Sequence, residues 1–232
     1  MSQSRLVTWL AIRELWMTFR LLLVIVGFVG TSAVLVLIPA TAALTMQRLA
    51  IGIGISTVVV AGVAAWSLAD ERTAGRAGWL VSRSVRRGDV LAGWFSGLAT
   101  IALVGLAGAA LLGWLAVTGR PSAFDAATFL GTIVAVAATI AAAIAIGLLA
   151  GTVLRTWLAA LVAGLACLAC GAVAWTLFPD RPLVPGGAFR LVAGIATGQT
   201  ILADALGAAG IGLLLAAVVL VLARVSIERA EL

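Results

Sequence analysis

Polar positions in this chain are few and clustered, and the apolar runs between them define its elements. Residues 21–47, 49–69, 90–119, 126–154, 156–179 and 205–223 contain no Asp, Glu, Lys or Arg. Each run approaches or exceeds the roughly 20 apolar residues that a helix needs to cross a bilayer. A helix satisfies all its backbone groups internally, as lipid demands. The pattern predicts six spans, over about 21–46, 49–69, 91–117, 128–152, 157–178 and 201–224. Nothing remains for a soluble domain, so 1–232 reads as a single all-α polytopic membrane domain.

Two further elements come from irregular stretches. In residues 4–20 (SRLVTWLAIRELWMTFR), Arg5, Trp9, Arg13, Trp16 and Arg20 recur every three or four residues and form one stripe on a helix. Indole and guanidinium groups both favour the headgroup layer. The segment is expected to be an interfacial elbow helix leading into the first span. Near the other end, FPDRPLVPGGAFRLVAGIATGQ (178–199) has three prolines and a Gly-Gly pair that stop any helix at 179–187. The apolar stretch from Ala188 to Val225 is too long for one span. A short helix at about 188–198, re-entrant or external, is expected there, followed by a turn near Gly198-Gln199 and the sixth span; one long tilted helix is the alternative.

Pro39-Ala40-Thr41-Ala42 resembles a signal cleavage site, but the apolar run before it exceeds the usual 7–15 residues and follows a twenty-residue lead, so no cleavage is expected. Gly93-x-x-x-Gly97, Gly147-x-x-x-Gly151 and the alanines of 135–145 permit close helix packing. In a chain with 26 glycines they point to no particular dimer face.

Composition narrows the function classes. The chain is 63% hydrophobic and 10% charged, far from the soluble globular range of about a quarter charged. With no His there is no imidazole base or ligand, and with no Lys there is no P-loop lysine. Cys167 and Cys170 lie within the fifth span and read as small apolar residues rather than a redox pair. Charge is absent from the span interiors, Asp204 at the start of the sixth being the nearest, which argues against a proton-coupled pump. The Arg-rich, Lys-free bias points to a high-GC bacterial genome, hence a bacterial inner or plasma membrane.

Charge then supplies orientation. Arg5, Arg13, Arg20, Arg72, Arg76, Arg83, Arg86, Arg87, Arg155, Arg224 and Arg229 fall on one side, against Arg48, Arg120, Arg181 and Arg190 on the other. The positive-inside bias makes both termini cytoplasmic. Trp66, Trp94, Trp114, Trp157 and Trp175 lie near span ends, as an aromatic belt would place them.

One loop is exceptional. Asp70, Glu71, Arg72, Arg76, Arg83, Arg86, Arg87 and Asp89 are a third of the chain's 15 basic and 9 acidic side chains, all within 70–90. A topology signal would need the arginines as a sum; a docking element would use them individually. The loop supplies Glu71, Arg72, Gly75, Leu80, Ser82, Val85, Arg87, Leu91 and Gly93 at the spacing E-R-x-x-G-T-x-x-x-L-x-S-x-P-V-S-R-x-x-x-L-x-G-K, departing from it at Arg76, Ser84, Arg86 and Trp94. In this the chain resembles the ABC type-2 transporter permeases, membrane subunits of bacterial ATP-driven exporters, and six spans with an elbow helix fit that family across the whole length.

The resemblance implies a permease that pairs with a second copy or a related permease. Separate cytosolic ABC ATPase subunits would carry ATP and Mg, with no cofactor or metal in this chain, no enzyme site of its own and no nucleic-acid partner. The 70–90 loop would be the coupling element, with Trp79, Leu80 and Val85 as an apolar anchor ringed by Arg76, Arg83, Arg86 and Arg87. Glu71 and Arg72 would fix the loop to its own helices. Alternatives are a permease of the haem-exporter type and a non-transporting membrane anchor or immunity protein.

Overall fold

The computed structural model describes residues 3–74, 86–118, 125–177, 183–184 and 186–229. These form eight α-helices: α1 (Gln3–Met17), α2 (Arg20–Leu37), α3 (Ala42–Thr73), α4 (Arg87–Val117), α5 (Ala126–Val153), α6 (Thr156–Thr176), α7 (Ala188–Gly194) and α8 (Leu202–Arg229). A 3₁₀ turn at Ile195–Thr197 extends α7. Six of the helices, α2 to α6 and α8, are long and apolar enough to cross a membrane.

The break between the first two spans differs from the sequence reading, which divided them at Arg48. Instead α2 ends at Leu37 and α3 begins at Ala42. Pro39 explains the difference, because the residue before a proline is pushed out of the helical region, and Ile38 is extended (φ −67°, ψ 121°). Thr41 then caps α3, its Oγ1 accepting from the Leu44 N–H at 3.4 Å. Arg48 lies inside α3 and reaches back to donate to the Ile38 carbonyl at 3.0 Å, at the C-terminal end of α2, where a cation is favoured.

Helix α3 is the pillar of the bundle. Its 32 residues span about 48 Å at 1.5 Å per residue, and α2, α4, α5, α6 and α7 all pack on it. In lipid, helices gain little from burying apolar surface against each other, so close approach depends on small residues. A Cβ on Gly147 would lie 2.3 Å from the Ala61 carbonyl oxygen, and one on Gly151 would lie 2.7 Å from that of Ala65. Thus α5 meets α3 backbone to backbone. The other small-residue pair receives α1: a Cβ on Gly93 would fall 2.3 Å from Val7 Cγ1, and one on Gly97 3.3 Å from Ala11 Cβ. Both pairs, which the sequence could assign to no face, serve packing within the chain. A polar seam adds to the α2–α3 contact, with the Thr31 and Ser56 hydroxyls 3.2 Å apart.

Helix α1 buries Val7, Ala11 and Leu15 against α4, and the Thr8 and Ser96 hydroxyls meet at 2.7 Å. Arg5, Trp9, Arg13 and Trp16 are exposed, with the Arg13 guanidinium over the Trp9 ring at 5.6 Å. Arg20 does not share that face. Phe19, with φ +59°, turns the chain, and Arg20 opens α2. At the other end α7 buries Leu191 and Val192, and the Thr200 hydroxyl donates to the Leu191 carbonyl at 2.7 Å. Gly198, at φ +71°, reverses the chain into α8, as a glycine does at low steric cost. A short helix and a turn therefore form here in place of one long helix. Asp125 caps α5, and hydrogen bonds from the Thr128 hydroxyl and N–H hold its carboxyl below the ordinary value.

The α3–α5 contact yields a direct test. Gly147→Ala should drive a methyl into the Ala61 carbonyl and destabilise the bundle by about 1–3 kcal/mol, the usual cost of overpacking. Gly54→Ala, on α3 itself, should be nearly neutral, because none of the described residues lies within 4 Å of its Cβ position. Thermal unfolding in detergent reads both; equal stability of the two variants would refute the backbone contact.

Candidate functional site

The α3 C-terminus and the α4 N-terminus flank the charged loop, and both are braced to other helices. Asp70 accepts from Arg20 Nη2 of α2 at 3.1 Å, while Arg20 Nη1 donates to the buried Ser67 hydroxyl at 3.2 Å. The Arg20 guanidinium also lies over the Trp66 ring, 4.8 Å from its centroid. The pair is largely shielded, Arg20 keeping 12% and Asp70 33% of side-chain exposure. A guanidinium stacked on an indole and bonded to a carboxylate is used for its plane as well as its charge.

Arg72 crosses to α5, where Nη1 donates to the Gly151 carbonyl at 2.9 Å near the C-terminal end of that helix. Arg87, first residue of α4, crosses to α8, where Nη1 donates to the carbonyls of Glu228 at 2.9 Å and Ile227 at 3.3 Å. Both arginines satisfy carbonyls that a helix end leaves without an intrahelical partner, and both complement the negative end of its dipole. Glu71, between Asp70 and Arg72, is buried in the last turn of α3.

Beside these braces a hollow of about 740 Å³ lies between the start of α4 and the end of α8, lined by Arg86, Arg87, Asp89, Phe95, Arg224 and Glu228. Arg224 and Glu228 pair at 2.8 Å on its exposed edge. Such an exposed pair contributes little to stability.

The described residues thus bring Glu71, Arg72, Arg86 and Arg87 to one end of the bundle. Gly75, Arg76, Trp79, Leu80, Ser82, Arg83 and Val85 lie outside the described residues. Arg20, read as the last member of the α1 stripe, belongs to this end instead. Trp94, expected in an aromatic belt, is buried, whereas Trp157 is exposed and Trp114 stacks edge-on against Phe129 at 5.4 Å. The Trp175 side chain is outside the described residues. Nothing in the pattern of residues marks Ser67 or the carbonyls of Gly151, Ile227 and Glu228 as partners. One signal for the Arg20–Asp70 pair is present in the sequence, since the two residues sit at the ends of adjacent antiparallel spans and so stand at one level.

The class is a six-span helical membrane protein with one arginine-braced end. Comparison with family models, with curated proteins and with solved structures finds no match for this chain.

The Arg20–Asp70 brace is testable by a double-mutant cycle. Arg20→Ala and Asp70→Ala should each destabilise, and the coupling between them should be about 1.5–3 kcal/mol, the usual value of a hydrogen bond to a charged group. Additive losses in detergent unfolding would show that the two side chains do not act as a pair.

Proposed function

We propose that this chain is the membrane-spanning subunit of an ATP-driven exporter, akin to the ABC type-2 permeases that its 70–90 segment resembles. One observation carries the reading: both flanks of that segment are tied to other helices, Asp70 to α2, Arg72 to α5 and Arg87 to α8. A topology signal needs arginines anywhere in the loop. Here two of them are spent on particular carbonyls of particular helices, so a displacement of the loop is delivered to α2, α5 and α8 together.

In this reading a cytosolic ATPase subunit docks on the loop, and ATP and Mg belong to that partner. Two permease chains enclose the path, the second being another copy or a related chain. The loop and both termini face the cytoplasm, in keeping with the eleven-to-four arginine bias. The exposed Arg5, Trp9, Arg13 and Trp16 face lies in the inner headgroup layer as an elbow, and α7 sits toward the outer leaflet, shielded by α3.

The test uses the full chain co-expressed with candidate ATPases and reconstituted in nanodiscs. Glu71→Ala, and Trp79→Ala with Leu80→Ala, should leave membrane insertion intact, abolish transport and uncouple ATP hydrolysis from substrate. Arg86→Glu with Arg87→Glu should weaken co-purification most at low salt, the deficit shrinking as salt rises, because rim charges act through screened fields. Normal assembly and normal transport in the Glu71 and Trp79/Leu80 variants would reduce the loop to a topology signal. Orientation is checked separately, in a background lacking Cys167 and Cys170: cysteines at Ser84 and Ser122 should label from opposite sides.

A further inference from the structure

At the end of the bundle away from the loop, α3 and α6 part. Nearer the loop they touch, Gly62 facing the Ala160 carbonyl and Gly164 facing Val58. Beyond Val58 a cleft of about 470 Å³ opens between them, walled by Ile51, Gly54 and Ile55 on one side and Leu168 and Gly171 on the other, with Phe189 of α7 above. Its size falls within the roughly 300–1,000 Å³ of ligand sites. A deeper cavity of about 60 Å³ shares Gly54, Cys167 and Phe189 with it and continues inward.

Two features separate this cleft from an ordinary lipid-facing furrow. Gly54 and Gly171 lie in mid-helix, where glycine costs about 1 kcal/mol relative to alanine and is normally explained by a close neighbour. Among the described residues nothing lies within 4 Å of either Cβ position, the backbone of Gly186 approaching Gly171 from another side. Each helix therefore carries its smallest residue where the cleft needs room. The mouth of the cleft, moreover, is polar on one side. Gln47 lines both the cleft and an adjoining hollow of about 390 Å³ formed by Thr41, Arg190, Thr197 and Gln199. Arg190 is the one charged residue lining that hollow among the described residues. From Gln47 to Val58 along α3 is about 16 Å at 1.5 Å per residue. A hydrogen-bonding recess that includes the Arg190 guanidinium thus adjoins, at Gln47, a slot lined by apolar side chains.

We propose that this cleft binds an anionic alkyl amphiphile drawn from the bilayer, with its chain between α3 and α6 and its phosphate or carboxylate head in the recess of Arg190, Gln47 and Gln199. The guanidinium supplies a charge-assisted donor for such a head, and the slot removes the chain from competing contacts. The site is independent of the coupling reading, since its test requires neither nucleotide nor ATPase.

The probe is a lysophosphatidylglycerol with a photoactivatable diazirine in its chain, added to the full chain in nanodiscs and mapped by mass spectrometry. Labelling should concentrate in 51–58 and 167–172 over the exposed α4 positions Leu103, Val104 and Leu111. Gly54→Leu and Gly171→Leu, each placing a side chain in open space, should separately lower cleft labelling by about tenfold and leave α4 labelling unchanged. Arg190→Gln, which alters neither wall, should lower labelling by this probe but not by a monoacylglycerol of the same chain. Equal labelling of cleft and α4 would mean bulk lipid only, and an unlabelled cleft would mean that another chain covers it. Undiminished labelling in the leucine variants, or identical responses of the two probes to Arg190→Gln, would likewise overturn the proposal.

Discussion

The close approach of α3 and α5 is the contact on which the other placements depend. Where Gly147 and Gly151 face the Ala61 and Ala65 carbonyls, the two helices touch along their backbones. In water, such a contact would be one of many ways to hide apolar surface. In lipid, the surroundings are as apolar as the side chains, and association rests on the density of packing instead. The consequence is a hierarchy. Helix α3 is largely enclosed, while α6, packed beside α5 on the pillar, presents most of its surface outward, including Trp157, Leu161 and Leu165. With α3 and α5 locked, α2, α4, α6 and α7 each find a place on the pillar.

The arginines extend that hierarchy to the loop end. Arg20 and Arg72 belong to the set that a count of charges assigns to topology, yet each is held by geometry: one stacked on Trp66 and bonded to Asp70, the other bonded to Gly151. Gly151 lies on both sides of this account. Its missing side chain admits the Ala65 carbonyl, and its own carbonyl accepts Arg72. The contact that locks α3 to α5 and the brace that ties the loop's flank to α5 therefore meet at one residue. By contrast the exposed Arg224–Glu228 pair lies within a single helix and ties nothing together.

Much of this fold was legible in the sequence, for a physical reason. A lipid-spanning helix must exclude charge over about 20 residues, so charge-free runs count spans with little ambiguity. Boundaries were less secure. Arg48 looked like a span end because it is charged, but Pro39 governs the backbone and Arg48 snorkels back along α3. The short helix and the turn at Gly198 were legible because proline and glycine act locally. The braces were not, since which carbonyl receives Arg72 or Arg87 depends on the neighbouring helices. Trp94 was misplaced for the same reason: nearness to a span end says nothing about whether the side faces lipid or the protein. The face of α1 was legible only in part. Arg5, Trp9, Arg13 and Trp16 are exposed along it, and the spacing that continues in sequence to Arg20 is broken by the left-handed turn at Phe19.

Glycine carries opposite meanings within one helix, and the difference shows how the two ends of α3 diverge. Gly52 faces Ser32 of α2 at 3.3 Å and makes a contact. Gly54, two residues on and so turned to another side, has none of the described residues within 4 Å of its Cβ position. A Cβ on Gly62, further toward the loop, would lie 3.7 Å from the Ala160 carbonyl oxygen, where α6 closes onto the pillar. In one sequence of small residues α3 thus specifies a contact with α2, an open position and a contact with α6. No composition count separates these roles, because the residue type is the same in all three. What separates them is the backbone that stands opposite: a close helix turns a glycine into a contact, and its absence turns one into space. An α6 that meets the pillar at Gly62 and leaves a cleft beyond Val58 gives the bundle one end braced by charge and another with room between its helices.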